Sequence, residues 1–196
     1  MSLLDSLPSL SDLGIHELTL AGIVAEMSVL PNPDVVKKLN RAVFPAIRDQ
    51  RNRITVSESN SQTVFLDDNT TPRWAFMWAH GEPSTGHPKG FTFAHVWGVP
   101  KDPEAYTHLA NLVMMPECFA SLTDKGGPLA KYLEYHAWSK YGWKPTSMTA
   151  PTKPNGFGKI KWRYANAIDD PNKFILDRVT ALNNKRVQLL RPLMGI

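Results

Sequence analysis

Three residues whose side chains suit hydrolytic chemistry, His95, Asn111 and Asp124, fall within one segment of 30 residues in the chain. His95 lies in an apolar run with Phe93 and Val96, which is typical of a buried or half-buried strand that would hold the imidazole in place. A neutral imidazole can take a proton from water, because its ordinary pKa of about 6.5 leaves it mostly uncharged at cellular pH. Amide and carboxylate oxygens are ligands for a hard divalent cation that neutralises phosphate charge. These residue types therefore predict a site for cation-assisted hydrolysis of a phosphodiester.

Each of the three residues also has a purely structural explanation. A histidine in an aromatic strand is more often a core residue with a hydrogen-bonded partner than a base. Asn111 could bond neighbouring backbone in a turn, and Asp124 could do the same at a helix end in the sequence LTDKGG. The sequence alone leaves both interpretations open.

The expected cation follows from the available ligands. The chain contains one cysteine, Cys118, so a four-cysteine zinc cage is excluded, and no Cys/His set has the spacing of a zinc site. Mg²⁺ or Mn²⁺, one ion per site, is the expected cofactor, because these cations accept oxygen ligands and keep several waters.

The elements that must position these side chains are predicted as strand, loop, strand and helix. The first strand contains His95, the second is the run LVMM after Asn111, and the helix begins at Pro116, where a missing N–H costs nothing. The loop GEPSTGHPKG, which carries Lys89, precedes the first strand, and loops of this composition beside a catalytic strand often contact ligand.

In this layout the segment 91–124 resembles the His-Me finger nucleases, also called the ββα-metal or HNH-like superfamily. The resemblance implies that His95 is the general base and that Asn111, in the NLV run, holds one divalent cation. Asp124 is the nearest further oxygen ligand. The implied activity is that of a metal-dependent endonuclease, of a type II restriction or phage-defence kind, acting on double-stranded DNA.

Two features depart from the family pattern. Ala94 stands where many members carry an aspartate ligand, and Ala120 and Ser121 stand where a third histidine is usual. The departures keep a second function open, that of a non-catalytic nucleic-acid-binding or assembly protein with a degenerate His-Me finger fold. A third possibility is a structural subunit that binds an acidic protein partner.

The predicted fold class is α+β, with a single nuclease-like domain over 1–196. Its 42% hydrophobic and 20% charged residues are typical of a folded domain. The domain is expected to contain a helical N-terminal part over 1–53, a ββα-metal core region over 62–143, and a basic strand plus C-terminal helix over 157–196. Helices thus flank the finger core on both sides.

Periodicity and turn residues predict the elements in more detail. Helices are expected as two pieces over 3–30 and over 34–48, 72–78, 127–143 and 171–190, and short strands in 54–66 and 159–168. Asp67, Asp68 and Asn69 precede the apolar helix that carries Trp74, and are explained as its cap. Gly142 is expected to end the helix over 127–143.

Basic residues predict contacts with a nucleic-acid backbone. The net charge of +4 makes a negatively charged partner plausible, and a palindromic DNA target would suit a homodimer. The candidate phosphate-binding residues are Arg48, Arg51, Arg53, Arg73, Lys89, Lys159, Lys161 and Arg163. The alternatives are a solvated helix end for the first three and an edge strand guarded by lysines for the last three.

No membrane partner is expected from the sequence. No run of about eighteen apolar residues occurs, and the segment MSLLDSLPSL lacks the basic region and apolar core of a signal peptide. One cysteine allows no internal disulfide. These features predict a cytoplasmic protein.

Overall fold

Two small β-sheets lie in the part of the chain that the computed structural model describes, which is residues 12, 14–59, 62–124 and 127–196. The first sheet contains β1 (Ala46–Arg48), β2 (Thr55–Ser59) and β3 (Gln62–Asp67), with β3 in the middle. β1 runs parallel to β3, and β2 runs antiparallel to it. The second sheet is an antiparallel pair of β4 (Phe91–His95) and β5 (Leu112–Pro116).

Helices surround these sheets, and together they form a single α+β domain, as the sequence predicts. The described residues form α1 (Glu17–Met27), α2 (Pro33–Leu39), α3 (Thr70–Ala79), α4 (Glu117–Ala120), α5 (Ala130–Tyr141), α6 (Pro171–Ala181) and α7 (Lys185–Leu193). α5 ends at Gly142, which has the left-handed conformation that the sequence led us to expect there. None of the described helices has the length and apolarity needed to cross a membrane.

α3 is the central helix of the domain. Every residue from Trp74 to Ala79 is buried, as expected for a helix that is apolar on all sides. Trp74 stacks on Trp78 with ring centroids 4.8 Å apart, and Phe44 contacts the Trp78 ring edge-on at 5.8 Å. Because this packing leaves α3 little freedom, it also fixes the position of the turn that precedes the helix.

The β4–β5 pair separates two apolar clusters. Phe93 and Leu112 pack into the cluster that contains α3, whereas Val113 and Met115 pack into a cluster with α1 and α5. Successive strand residues point to opposite faces, so the continuous run LVMM is explained by burial of both faces. The strands that carry and flank His95 are therefore held from both sides.

Three predicted elements differ from the observed ones. The helix expected over 34–48 ends at Leu39, and Arg48 lies at the end of β1 instead, because the 40–45 segment leaves the helical conformation at Asn40, whose φ is 23°. The helix expected over 171–190 is two helices, since Asn184 accepts a hydrogen bond from the Val187 N–H and starts a new one. The strand expected over 159–168 is reduced to one bridge between Leu30 and Tyr164.

Two further expectations have simpler outcomes. The strands expected in 54–66 are confirmed as β2 and β3. Of the two helical pieces expected over 3–30, α1 is present, and the other falls on residues outside the described part of the chain.

Candidate functional site

A cleft of about 570 Å³ lies where β1, β4 and the segment after α4 meet. Its polar lining residues are seven: Arg48, Asn69, Thr92, His95, Ser121, Thr123 and Asp124. The cleft thus combines a base, a cation and a carboxylate.

His95 is the last residue of β4 and is held by the loop between the two strands. Its Nε2 lies 3.0 Å from the Tyr106 carbonyl oxygen, and its ring stacks on the Tyr106 ring with centroids 5.1 Å apart and planes 15° from parallel. A carbonyl can only accept a hydrogen bond, so Nε2 must carry the proton and Nδ1 must carry a lone pair. No hydrogen bond within the described residues uses that lone pair.

The charge state of His95 suits a base. The pKa of His95 is lowered to about 4, chiefly because the ring is buried; the hydrogen bond to Tyr106 opposes this shift, and the nearby Arg48 charge adds to it. The imidazole is therefore neutral at pH 7, with Nδ1 free to accept a proton.

Arg48 brings a positive charge to the cleft from the end of β1. Its backbone N–H donates to the Pro100 carbonyl at 2.8 Å, and its residue pairs in register with Asp67 of β3. None of the ion pairs among the described residues involves Arg48. An uncommitted guanidinium beside a neutral histidine can bind a phosphate group.

Asn69 joins α3 to β4 at the wall of the cleft. It has a positive φ of 80°, a conformation that asparagine adopts more readily than most residues. Its Nδ2 donates to the Phe93 carbonyl at 3.4 Å, and its Oδ1 lies 3.4 Å from the Tyr106 hydroxyl.

Asp124 faces the cleft from the turn that follows α4. Its backbone closes the turn, because its N–H donates to the Ser121 carbonyl at 3.3 Å and its carbonyl accepts from the Gly127 N–H at 2.7 Å. Its side chain is exposed and makes no ion pair with another described residue. No ion pair with the described residues therefore competes with a ligand for this carboxylate.

Asn111 does not face the cleft, so its predicted role as a catalytic residue and cation ligand needs revision. The side chain is fully buried; Oδ1 accepts from the Trp97 N–H at 2.7 Å, and Nδ2 donates to the Ala105 carbonyl at 2.9 Å. Because both polar atoms bond the 96–111 loop, the amide fixes the loop that in turn holds His95. Bonding to neighbouring backbone was the alternative that the sequence left open.

The oxygen ligands at the cleft suit a cation that binds together with substrate. No group of three or more His, Cys, Asp or Glu side chains among the described residues could hold a metal ion. Asp124 provides the one carboxylate of the lining, with the Ser121 hydroxyl close to it in the chain. Mg²⁺ commonly binds proteins through one or two carboxylates, several waters and substrate phosphates, so this donor set fits Mg²⁺ or Mn²⁺ in that manner and does not fit a closed cage.

The other predicted phosphate-binding residues lie outside the cleft lining. Arg51 and Arg53 are exposed in the turn after β1, and Arg53 lies 4.0 Å from Asp68. Lys89 is exposed in the loop before β4, and Arg73 is half-buried in the first turn of α3. Arg51, Arg53 and Lys89 are therefore accessible to an extended ligand.

Lys159, Lys161 and Arg163 are exposed on a different part of the domain. The second sheet continues from β5 to Val29, and the adjacent Leu30 pairs with Tyr164, so these residues are separated from β4 by two intervening segments. The Arg163 guanidinium donates to the Glu26 carbonyl at 3.1 Å. The structure therefore does not bring these three residues to the cleft.

The sequence interpretation missed Tyr106 and the full role of Asp67. Asp67 does cap α3, since its Oδ2 accepts from the Thr71 N–H at 2.8 Å, but its other oxygen pairs with Arg186 of α7 at 2.5 Å. Burial raises the pKa of Asp67, and the Thr71 hydrogen bonds and the Arg186 charge oppose that shift. The paired acids before α3 were the available signal, but their basic partner lies 119 residues away in the chain.

Comparison of the chain with protein-family models, curated proteins and solved structures found no match. The functional inference therefore depends on the geometry of the cleft and on the residues that line it.

Proposed function

We propose that the protein is a divalent-metal-dependent endonuclease of the His-Me finger type, which hydrolyses DNA phosphodiester bonds with His95 as the general base. The orientation of His95 is the observation that carries this proposal. Its Nε2 proton is committed to the Tyr106 carbonyl, which leaves a basic Nδ1 on a neutral ring at the cleft. The order of β4, loop, β5 and α4 agrees with the layout of such a finger.

In the proposed reaction, Nδ1 of His95 takes a proton from a water molecule as the water attacks the phosphorus atom. The Arg48 guanidinium binds nonbridging oxygens of the same phosphate and offsets the negative charge that develops there. A bound Mg²⁺ or Mn²⁺ would supply positive charge beside the leaving oxygen, with Asp124 and waters as its ligands. The bond between phosphorus and the leaving oxygen breaks, and that oxygen is protonated from solvent.

The proposed substrate is double-stranded DNA. Arg51 and Arg53 are exposed in the turn next to Arg48, and Lys101, which pairs with Asp49 at 3.5 Å, lies one residue beyond Pro100 of the cleft lining. Contacts from these residues to the DNA backbone would position the duplex without reading its sequence. A homodimer would place two such clefts across a palindromic site.

A second candidate function is that of a non-catalytic nucleic-acid-binding protein with the same fold. The observation that favours it is the small number of cation ligands, since Asp124 is the one carboxylate at the cleft. In that case Arg48 and its neighbours would still bind phosphate, and His95 would be a structural residue.

Cleavage of supercoiled plasmid DNA tests the proposal. The wild-type chain should nick or cut the plasmid with Mg²⁺ or Mn²⁺, and EDTA should abolish the reaction. His95→Ala should lower the rate about 10²–10⁴-fold, because a general base contributes about that much. His16→Ala is the matched control, since His16 is exposed and makes no cap hydrogen bond, and it should cut at the wild-type rate.

Other outcomes of the same experiment would reject the proposal. Cleavage by His95→Ala at the wild-type rate would show that His95 is not the base. No cleavage by any of these proteins, together with a salt-dependent mobility shift for both wild type and His95→Ala, would support the binding protein instead.

A further inference from the structure

Tyr106 contacts His95 through two different parts of its structure. Its backbone carbonyl accepts the Nε2 hydrogen bond at 3.0 Å, and its ring stacks on the imidazole. Tyr106 is fully buried in the 96–111 loop, and its backbone N–H donates to the Asp102 carbonyl at 2.9 Å. The position of this one residue therefore determines both the tautomer and the plane of the His95 ring.

The hydroxyl of Tyr106 reaches away from His95 to a buried carboxylate. It donates to Asp67 Oδ2 at 3.2 Å, and the side-chain oxygen of Asn69 is a second acceptor at 3.4 Å. The same Asp67 oxygen accepts from the Thr71 N–H at 2.8 Å and from the Thr71 hydroxyl at 2.9 Å. Asp67 is fully buried, so its position is closely constrained by these donors.

The other oxygen of Asp67 pairs with Arg186 of α7. The Arg186 guanidinium lies 2.5 Å from Asp67 Oδ1 and 3.2 Å from Asp68 Oδ2, and 12% of its side chain is exposed. It also lies over the Phe65 ring at 5.6 Å and the Trp74 ring at 5.9 Å. A planar guanidinium held by two carboxylates and two rings has one well-defined position.

We propose that Tyr106 is a positioning residue that couples the orientation of His95 to the ion pair between Asp67 and Arg186. α7 contributes no side chain to the cleft, yet this chain of contacts makes it part of the support for the base. The catalytic meaning of the coupling rests on the proposed function, whereas the coupling itself is a property of the fold and can be measured without DNA.

Tyr106→Phe tests the coupling, because it keeps the ring and the backbone carbonyl and removes only the hydroxyl. Tyr141→Phe is the matched control: the Tyr141 hydroxyl donates to the Pro31 carbonyl at 2.8 Å and does not line the cleft. In NMR spectra of protein labelled with ¹⁵N-histidine, the ring nitrogen chemical shifts of His95 report which nitrogen carries the proton. The signals that disappear in His95→Gln are those of His95.

In the wild type and in Tyr141→Phe, His95 should carry its proton on Nε2 alone. In Tyr106→Phe, His95 should become a mixture of tautomers, and plasmid cleavage should slow about tenfold or more without a change in KM, because misplacement by about 1 Å can cost about a hundredfold in rate. An unchanged tautomer and rate in Tyr106→Phe would overturn the proposal.

Arg186→Lys is the second test, and it stays informative if Tyr106→Phe does not fold. A lysine keeps the positive charge beside Asp67 but lacks the two guanidinium nitrogens that contact Asp67 and Asp68. Arg186→Lys should therefore also give a mixture of His95 tautomers, as Tyr106→Phe should. The double variant should differ from the sum of the single effects, because the two residues act through Asp67. An Arg186→Lys protein with a wild-type His95 tautomer would reject the coupling to α7.

The two proposals fail in different ways. A changed His95 tautomer in Tyr106→Phe with no nuclease activity in any protein would retain the coupling and reject the nuclease. Wild-type nuclease activity in Tyr106→Phe, with an unchanged tautomer, would retain the nuclease and reject the coupling.

Discussion

In the proposed reaction, His95 and Arg48 have different electrostatic requirements, and the cleft satisfies both. A base needs a lone pair, and a phosphate-binding group needs a positive charge. Placed near a histidine, a guanidinium lowers the pKa of that histidine, so the positive charge of Arg48 also keeps His95 in its basic form. The cost is a weaker base, since a lower pKa means a smaller affinity for the proton.

Arg48→Gln should therefore change both the rate and its pH dependence. The maximal rate should fall about 10²-fold with the loss of transition-state charge stabilisation. The pKa of His95 should rise from about 4, because Arg48 lowers it in the wild type. The acid limb of the rate profile should accordingly move to higher pH, which measurements of plasmid cleavage between pH 4 and pH 8 would detect.

Arg51→Gln is the control for Arg48→Gln, since Arg51 is exposed in the adjacent turn and does not line the cleft. It should weaken DNA binding and reduce its salt dependence, and leave the maximal rate and the acid limb in place. An Arg48→Gln protein with the same acid limb as wild type would show that Arg48 does not act on His95.

The 96–111 loop and the turn after α4 have different roles, and two substitutions separate them. Asn111→Ala should lower the free energy of unfolding by about 1–3 kcal/mol for each buried group left unpaired, here the Trp97 N–H and the Ala105 carbonyl. Asp124→Asn should change stability by less than about 0.5 kcal/mol, because the side chain is exposed. Urea unfolding measures both values.

Asp124→Asn should have a larger effect than Asn111→Ala on the Mg²⁺ concentration that cleavage requires, which is the reverse of their effects on stability. Asp124→Asn should raise the Mg²⁺ concentration needed for half-maximal cleavage, whereas Asn111→Ala at a temperature where it is folded should not. If Asn111→Ala were stable and had lost its cation dependence, Asn111 would be a ligand after all.

The elements around the cleft could be predicted from the sequence where short segments carry a clear composition signal. Composition within a few residues predicts three elements: the strand containing His95, the LVMM strand and the helix after Pro116. All three are present. Apolar residues recur at helical spacing from Val35 to Phe44 and predict a helix that includes Arg48; the spacing gives no sign that the helix ends at Leu39. The residue at which a helix ends determines which of the following polar residues face the cleft.

Arg48, His95 and Asp124 are predicted as site residues from the sequence, and all three line the cleft. The sequence does not show, however, that Asn111 points into the loop rather than into the cleft. The pair of Asp67 and Arg186 depends on packing between a strand and a helix 119 residues apart, for which a single sequence carries no signal. Long-range contacts of this kind come from the fold as a whole.

Acid should destabilise the whole domain because its buried histidines are neutral when folded. Burial lowers the pKa values of His80, His95 and His108 to about 4 and that of His136 to about 3. The unfolded chain, with histidine pKa values of about 6.5, therefore binds more protons than the folded one at intermediate pH. This contribution to stability is complete above about pH 6.5 and is lost as the pH falls from there toward 4.

Urea unfolding at several pH values would check this expectation. Between pH 7 and pH 5 the free energy of unfolding should fall by on the order of 5 kcal/mol. His108→Asn should flatten the dependence by about a quarter, because asparagine can still accept from the Ala110 N–H and does not titrate. A free energy of unfolding that stays constant between pH 7 and pH 5 would contradict the assignment of neutral, buried histidines.

The contact between Arg186 and Asp67 has a consequence for synthesis of the protein. Arg186 follows His95 by 91 residues in the chain. At about 5–20 residues per second, a ribosome adds Arg186 roughly 5–18 seconds after His95. Late in that interval the nascent chain contains His95, Arg48 and Asp124, but Asp67 still lacks its partner. If His95 depends on that partner, the growing polypeptide remains inactive until α7 has emerged and docked.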